Sequence, residues 1–214
     1  MPVTTEQTAK LRRYWDKHAL RYDRQMQFWD RRLFGDTRAW ICQQATGPGL
    51  GGRDRHRPEP RSLSGGGPAD GVDFSPAMLA QARDRARQLG RTVELVEGDA
   101  QALGFSDHSF DTVVCTFSLC ALPDDHRAIA EMRRVLRPGG RLLLADYVAS
   151  SAWWARAVQR LMELVTVPLG GEHVLRRPAE HVRAQGFRVE RQERFKLGIV
   201  ERLAARKPAT SPAG

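Results

Sequence analysis

The sequence has few cysteines and lacks any apolar run long enough to cross a membrane. No stretch approaches the ~20 apolar residues of a membrane-spanning helix, and the first residues lack the basic-then-apolar order of a signal peptide. The cysteines are odd in number and lack the spacing of metal ligands, which argues against a disulfide framework and a cysteine metal site. They are Cys42, Cys115 and Cys120. We therefore expect a cytoplasmic protein without a bound metal.

Lysine is also scarce, although the chain is strongly basic. Of 34 basic residues only four are lysine, and the formal net charge is +9. A charge of this size suits nucleic acid, anionic lipid headgroups or an acidic substrate. The arginines are scattered, without the aromatic-interleaved stripe of single-strand-binding proteins. A basic nucleic-acid-binding protein is therefore an alternative that the sequence disfavours.

The composition of the 214-residue chain is that of one globular domain. Hydrophobic residues make up 41% of it and charged residues 28%, which is enough apolar material for a core. Residues 1–46 are predicted to form an N-terminal helical lid, residues 47–206 the main domain and residues 207–214 a disordered tail. The strands predicted after residue 70 are 71–75, 91–98, 112–120, 141–146, 187–194 and 198–205, and the helices are 76–89, 126–136, 153–167 and 178–185.

One stretch in the middle of the chain has a specific order of elements. An apolar run from Thr112 to Cys120 is followed by a helical pattern, by Arg137-Pro-Gly-Gly140, and by a second apolar run to Asp146. Apolar runs of this kind suit strands covered on both faces, as in a parallel sheet between helices. Pro138 is expected to end the helix, and the glycine pair to allow a tight return into the next strand.

This order resembles class I S-adenosylmethionine (SAM) methyltransferases, whose chains commonly read Leu-Arg-Pro-Gly-Gly here. The resemblance covers residues ~71–206 and is nearest to phosphatidylethanolamine, ubiquinone/menaquinone and thiol methyltransferases. It implies an α/β, Rossmann-like fold with a mostly parallel seven-stranded sheet, an antiparallel C-terminal hairpin and helices on both faces. It also implies SAM as cofactor and methyl transfer to a small or lipid-like acceptor through a nitrogen, sulfur, oxygen or carbon nucleophile.

The resemblance implies a set of cofactor-binding residues at strand ends. Asp73, in the turn with Phe74 and Ser75, matches the acidic residue that binds the cofactor ribose; alternatively it caps the following helix. Asp99 matches the residue that accepts from the adenine amino group, with the Ala100 amide beside the ring; alternatively it is a turn aspartate. The backbone of Cys115 and Thr116 is expected to line the methionine end.

The acceptor side is less defined, and no catalytic residue can be assigned. The run from Phe117 to Cys120 is expected to touch the acceptor, with core packing favoured over a nucleophilic role for Cys120. His126 is expected to be solvated, whereas His173 lies in a loop that could roof the acceptor pocket. The helix from Trp153 is amphipathic, which allows either peripheral membrane contact or packing on its own domain. The oligomeric state is not predicted.

Residues 47–70 depart from the family pattern. The family needs a first strand and a glycine-rich loop here, but this stretch is rich in Gly, Arg and Pro, and no buried strand is expected in it. One explanation is a disordered insertion. Another is a local frameshift, because the codons of residues 50–61, read one nucleotide later, permit Leu-Glu-Val-Ala-Ile-Gly-Thr-Gly-Arg-Asn-Leu. Either way we expect a gap in the sheet, poor solubility and no activity, which leaves a non-catalytic remnant as an alternative function.

Overall fold

The computed structural model describes residues 9–18, 34–45, 49–52 and 69–209. Its strands are β1 (Gly49–Gly52), β2 (Ala69–Asp73), β3 (Val93–Glu97), β4 (Phe110–Thr116), β5 (Leu136–Tyr147), β6 (Arg188–Phe195) and β7 (Val200–Arg206). Its helices are α1 (residues 9–18), α2 (Thr37–Gln44), α3 (Pro76–Gln88), α4 (Asp125–Val135), α5 (Trp153–Gly170) and α6 (Pro178–Ala184). None of these described helices is both long and apolar enough to span a bilayer.

The strands form one seven-stranded sheet in the order β3-β2-β1-β4-β5-β7-β6. Strands β1 to β5 pair in parallel, while β7 lies antiparallel between β5 and β6. This topology confirms the predicted Rossmann-like class I methyltransferase fold with its C-terminal hairpin. All five parallel strands end at the same edge of the sheet, where open α/β sheets bind ligands.

Alternate residues of β5 serve the two faces of the sheet. Leu142 and Leu144 pack in one core cluster with residues of α4 and α6, and Leu143 and Ala145 pack in a second cluster with residues of α2. A strand has a side-chain period of two, so a continuous apolar run fills both cores. Helices therefore cover both faces, as the apolar runs predicted.

The expectation that no strand crosses residues 47–70 is wrong. Strand β1 pairs with β2 and with β4, with Leu50 opposite Asp70 and Val113, so the sheet has no gap at this place. Three of its four residues are glycine. The pairing uses only backbone N–H and C=O groups, which every glycine carries, and the two neighbours offer these groups on both sides. Residues 53–68, including the segment where the glycine-rich loop is expected, lie outside the described residues.

The turn expected at Pro138 is part of β5. Helix α4 ends at Val135, and Leu136 already pairs with Phe110 in β4. The register then shifts, so that Arg141 is opposite Thr112. The intervening residues form a bulge in which Gly139 has a φ of 80°, a conformation that glycine adopts without strain. The proline thus lies in the bulge rather than at the helix end.

The ordered domain extends past the predicted boundary at residue 206. Lys207 is buried, and its ammonium group donates to the carbonyl oxygens of Arg133 (2.7 Å) and Leu136 (2.6 Å). Its backbone N–H also donates to Gly140 at 2.9 Å. Burial lowers the pKa of this amine, with nearby Arg133 as a second cause. Lys207 therefore closes the end of the sheet, and the predicted tail from residue 210 on lies outside the described residues.

Candidate functional site

Asp73 ends β2 and is buried at the carboxyl edge of the sheet. One carboxylate oxygen accepts from the backbone N–H of Ser75 at 2.8 Å. The cap of α3 is Ser75, whose hydroxyl oxygen accepts from the N–H of Met78 (3.2 Å) and donates to the Asp16 carboxylate (2.6 Å). The helix-cap alternative for Asp73 is therefore taken by Ser75, and the Asp73 carboxylate is held in a fixed orientation by the turn.

Asp99 follows β3 and lies in the same edge region. Its carboxylate accepts from the backbone N–H of Gln101 (2.8 Å) and from the Gln101 side-chain amide (2.9 and 3.0 Å). The amide oxygen of Gln101 in turn accepts from the N–H of Asp124 at 2.9 Å. The turn bond predicted as the alternative for Asp99 is present, and Asp99 also borders a narrow crevice lined by Phe74 and Leu122, while its adenine role stays a prediction. Ala100, the next residue, packs against the main core cluster.

Cys115 and Thr116 end β4, and both are buried. Cys115 belongs to the main core cluster. The hydroxyl of Thr116 is buried and has no hydrogen-bond partner among the described residues. A buried hydroxyl without a partner costs about 1–3 kcal/mol. The Thr116 hydroxyl therefore has unused hydrogen-bonding capacity among the described residues.

The chain changes direction sharply at Phe117. This residue has a φ of 46°, a left-handed conformation that non-glycine residues rarely adopt. Its N–H donates to Ala145 at 2.7 Å, and its ring stacks on Phe34 with centroids 3.7 Å apart. Strained backbone of this kind persists where the surroundings hold it, and it is concentrated at functional sites. Here the left-handed conformation directs the Phe117 ring toward a large cavity.

That cavity has a volume of ≈ 440 Å³ and opens beside the ends of β4 and β5. Its walls come from α1, from the segment after β4, from α5 and from the β6–β7 turn. Representative lining residues are Tyr14, Phe117, Cys120, Tyr147, Trp154 and Glu172. A mostly apolar cavity of this size with a few polar groups is typical of a small-molecule site.

A buried acid lies directly behind Cys120. The carboxylate of Asp146 accepts from the N–H groups of Cys120 (3.0 Å) and Tyr147 (2.7 Å), and it also receives a hydrogen bond from the Cys120 side chain. Burial raises the pKa of Asp146 to about 6, and these hydrogen bonds oppose the rise. The sequence interpretation favoured core packing for Cys120, with no histidine partner evident, and expected the run from Phe117 to Cys120 to touch the acceptor. In the structure, Cys120 lines the cavity and is bonded to an acid whose ionisation falls close to neutral pH.

Helix α1 covers one side of the cavity and packs closely against Gly170 and Gly171 at the end of α5. A side chain at Gly170 would lie 2.7 Å from the Tyr14 ring, and one at Gly171 would lie 2.7 Å from Leu11. Burial raises the pKa of Tyr14, with the negative charge of Glu172 as a second cause. The predicted lid thus has a close contact with the end of α5, although residues 1–8 and 19–33 lie outside the described residues.

The two histidines named from the sequence have different surroundings. His173 donates its backbone N–H to Cys120 at 2.8 Å, and burial lowers the pKa of its ring. Glu172 and Val174, on either side of it, line the cavity. His126 is exposed and its ring stacks on His181 with centroids 3.7 Å apart. This loop therefore lines the cavity with Glu172 and Val174, and the expected role of His173 at an acceptor pocket stays a prediction.

Within the described part of the chain, the potential ligand atoms of Asp125, His126 and His181 lie within 4.8 Å of one another, close enough to hold a metal ion. The Asp125 carboxylate already bonds the His181 ring at 2.7 Å and lies 3.8 Å from the Arg176 guanidinium. Arg176 also donates to the carbonyl of Leu119 at 2.5 Å. These contacts describe an ion-pair cluster that holds the segment after β4 in place. The prediction of no metal stays a prediction.

Sequence reasoning missed Tyr147 and Glu172, which line the cavity, and Asp146, which is bonded to Cys120 behind the cavity wall. Asp146 could have been found, because an acidic residue at the end of a buried strand is the same signal that singled out Asp73. Glu172 follows a glycine pair in a loop, and nothing in its local sequence shows which way its side chain points.

Sequence comparison connects this chain with methyltransferases. Residues 60–144 match a family model described as a methyltransferase domain, so the match begins after β1. A phosphatidylethanolamine N-methyltransferase from Cereibacter sphaeroides is 36% identical over 102 residues, which are 47% of this chain and 50% of that protein. A demethylmenaquinone methyltransferase from Thermus thermophilus is 44% identical over 77 residues, which are 36% of this chain and 35% of that protein. The chain thus spans about half or less of the length of these relatives.

Solved structures share the fold at low sequence identity. A SAM-dependent methyltransferase from Thermotoga maritima superposes with a TM-score of 0.63 at 19% identity, covering 91% of this chain and 99% of that one. The cyclase SpnF superposes with a TM-score of 0.62 at 21% identity, covering 81% of this chain and 79% of that one. These likenesses concern the fold, since one fold can carry different chemistries.

Proposed function

We propose that this chain, which has the fold and the methyltransferase domain of the class I SAM-dependent methyltransferases, transfers the methyl group of SAM to an apolar, lipid-like acceptor. The observation that carries this proposal is the ≈ 440 Å³ cavity beside the end of β4, where Thr116 stands, at the same carboxyl edge of the sheet at which β2 ends with Asp73. Its largely apolar lining favours an acceptor with an apolar body over a nucleotide or a sugar.

The residues at the strand ends fit the cofactor. Asp73 and Asp99 present carboxylates, which accept from hydroxyl and amino groups of the kind that the ribose and adenine carry. The buried hydroxyl of Thr116 has no partner among the described residues, so it can bond a polar group brought by a ligand. Cys115 supports the site only through its backbone, because its side chain belongs to the core. These roles are proposals, and the glycine-rich loop is not among the described residues.

Methyl transfer from SAM depends more on positioning of the nucleophile than on a strong base. Bound SAM supplies an electrophilic methyl group, and alignment of a nucleophile with it can contribute ~7–11 kcal/mol. Phe117 and Tyr147 form an aromatic floor with ring centroids 5.4 Å apart, on which an apolar acceptor can rest. Glu172 is an acid in the cavity wall, and its carboxylate can take a proton from a hydroxyl or ammonium group of the acceptor.

The two leading relatives suggest which acceptors to test first. One is named for phosphatidylethanolamine and the other for demethylmenaquinone, and both acceptors combine a polar end with a long apolar part. We infer that an acceptor of this build places its apolar part along the cavity wall formed by α5.

The experiment is a methyl-transfer assay with methyl-labelled SAM. The acceptors are dioctanoyl phosphatidylethanolamine, a short-chain demethylmenaquinone and a small alkyl thiol, each tested with the whole chain. We expect transfer to one of the two lipid-like acceptors and little to the thiol. Binding of SAM by calorimetry without transfer to any acceptor would favour the alternative of a non-catalytic remnant. Transfer to the thiol alone would contradict the lipid-like acceptor.

A further inference from the structure

Helix α5 carries its apolar side toward solvent. Trp153 is 76% exposed, Leu161 66% and Leu164 71%. With 3.6 residues per turn, the exposed apolar side chains cover roughly half of the helix circumference. They include Trp153, Trp154, Leu161, Leu164, Val165 and Leu169. A contiguous apolar surface of this kind on a globular protein usually marks an interaction site.

The inner side of the same helix is polar and hydrogen-bonded. The Gln159 side chain accepts from the N–H of Ser150 (2.8 Å) and donates to the carbonyls of Val148 (2.9 Å) and Val174 (3.1 Å). The Glu163 carboxylate accepts from the N–H of Leu175 at 2.9 Å. A helix on a globular domain normally turns its apolar stripe inward. Here the inward hydrogen bonds fix the opposite orientation, so the apolar side cannot rotate into the core without losing them.

Cations border the apolar face of α5, and the one acidic residue of α5 points away from that face. Arg160 lies one turn from Leu164 and two turns from Trp153, at the margin of the apolar side. Lys196 stands in the β6–β7 turn, next to the start of α5, since the neighbouring Leu197 carbonyl accepts from the N–H of Ser151 at 3.2 Å. At the other end of α5, the ammonium of Lys10 donates to the carbonyl of Pro168. Glu163 is the single acidic residue of α5, and its carboxylate is turned inward.

The cavity opens onto this face. Trp154, Val158 and Met162 line the cavity, and each is also about half exposed. Leu197, which is 55% exposed, lines it from the β6–β7 turn. The mouth of the cavity is therefore surrounded by the same apolar side chains that form the outward face of α5.

We propose that the outward face of α5 docks on the surface of an anionic lipid bilayer, and that the acceptor enters the cavity sideways from the bilayer. Tryptophan and leucine on one side of a surface helix, with arginine and lysine at its margin, are the residues that bind the lipid headgroup region. The net charge of +9 adds attraction to an anionic surface. The docking stands on the geometry of α5 alone, whereas the entry of the acceptor rests on the proposed function.

A second copy of the chain fits this face less well. A two-fold dimer would place the same patch against itself. The cationic residues Arg160 and Lys196 would then approach their own copies, and the mouth of the cavity would be closed. A bilayer instead pairs the cations with phosphate groups and leaves the mouth facing the region where a lipid-like acceptor resides.

The test is vesicle co-sedimentation of the whole chain without SAM or acceptor. We expect binding to vesicles of phosphatidylcholine with phosphatidylglycerol, much weaker binding to phosphatidylcholine alone, and a decrease with added salt. The double variant Leu161→Glu/Leu164→Glu should bind at least tenfold more weakly. Neither residue lines the cavity, so methyl transfer to a short-chain acceptor dissolved in buffer should be unchanged. The matched control is Leu89→Glu/Val96→Glu, which changes two exposed apolar residues outside α5 and should bind like the unaltered chain.

The outcomes separate this proposal from its rivals and from the proposed function. Equal binding to neutral vesicles would overturn the choice of an anionic surface. A monomer that binds no vesicles would overturn docking altogether. A dimer in sedimentation equilibrium that Leu161→Glu/Leu164→Glu dissociates, without vesicle binding, would assign the face to a second copy. Vesicle binding that depends on α5, in a protein that methylates no acceptor, would keep the docking and remove the proposed function.

Discussion

The carboxylate of Asp146 and the backbone N–H of Cys120 are 3.0 Å apart in the fold, although 26 positions separate them in the chain. The bond joins the end of β5 to the turn that follows β4, and both segments border the cavity. It therefore fixes the shape of the cavity wall, and it does so with an acid whose pKa burial raises to about 6. This coupling makes the wall sensitive to pH.

The first prediction concerns the stability of the fold as a function of pH. The pKa of Asp146 in the folded protein, about 6, lies above its ordinary value of 3.8, because burial disfavours the charged form. The stabilising contribution of the neutral acid is fully present below about pH 3.8 and is lost as the pH rises through about 6. We expect Asp146→Asn to gain stability relative to the unaltered chain over this range, by on the order of 2–3 kcal/mol.

Urea unfolding at a series of pH values from about 4 to 8 measures this difference. Asn at this position can still accept a hydrogen bond from Cys120 or Tyr147, so the native contacts are largely kept. The control is Asp84→Asn on the exposed side of α3, which should follow the unaltered chain at every pH. A constant difference between Asp146→Asn and the unaltered chain across the series would show that Asp146 does not titrate in this range.

The second prediction concerns the cofactor. Asp73→Asn keeps an oxygen that can accept from the N–H of Ser75, but it removes the charge that strengthens bonds to ribose hydroxyls. We expect the SAM dissociation constant to rise about tenfold or more, from the loss of one or two charge-assisted bonds. Calorimetric titration measures the constant, and thermal unfolding checks that the fold is retained.

A matched variant separates binding from capping. Ser75→Ala removes the cap of α3 and the bond to Asp16, so it should lower the melting temperature more than Asp73→Asn does. Unchanged SAM affinity in Asp73→Asn would contradict the ribose-binding role of Asp73.

The third prediction concerns the contact between α1 and the end of α5. A side chain at Gly170 would lie 2.7 Å from the Tyr14 ring, closer than real contacts allow, so Gly170→Ala should displace α1 from the end of α5. The displacement should increase hydrogen exchange in residues 9–18 and loosen the side of the cavity that Tyr14 and Trp15 form. The core built by α4, α6 and the sheet should exchange as before.

The double variant Gly170→Ala/Tyr14→Ala provides the check, because it removes the ring that the new methyl group would meet. Its exchange in residues 9–18 should match that of Tyr14→Ala alone. If Gly170→Ala raises exchange equally in both backgrounds, the substitution acts on α5 itself and not on the contact with α1.

Much of the fold is predictable from local pattern, because the apolar runs of β4 and β5 and the periodicity of α4 state which faces are buried. Asp73 could be named because its place at the end of β2 matches the position where the resembled family has an acidic residue. Which side of α5 faces the domain could not be predicted. Its periodicity shows an apolar side and a polar side, but the hydrogen bonds of Gln159 that hold the polar side inward are visible only in the structure. Strand β1 was missed because its prediction relied on side-chain composition, whereas the pairing of β1 depends on backbone hydrogen bonds.

The fourth prediction concerns residues 47–70. Strand β1 pairs on both sides but is only four residues long, and three of these are glycine. Glycine loses more chain entropy on ordering than other residues and adds no side-chain packing.

We compare the chain with a version in which Leu50–Arg61 is replaced by Leu-Glu-Val-Ala-Ile-Gly-Thr-Gly-Arg-Asn-Leu. The new strand residues add β-branched and apolar side chains between β2 and β4, so we expect higher solubility and a free energy of unfolding larger by a few kcal/mol. We also expect the affinity for SAM to increase, because the Gly-Thr-Gly loop lets backbone amides approach the cofactor. A third version with Ala-Thr-Ala in the loop should keep the added stability and lose the gain in affinity. Equal stability, SAM affinity and turnover in the chain as written and in the replaced version would show that the glycine strand is sufficient and that the frameshift hypothesis is unnecessary.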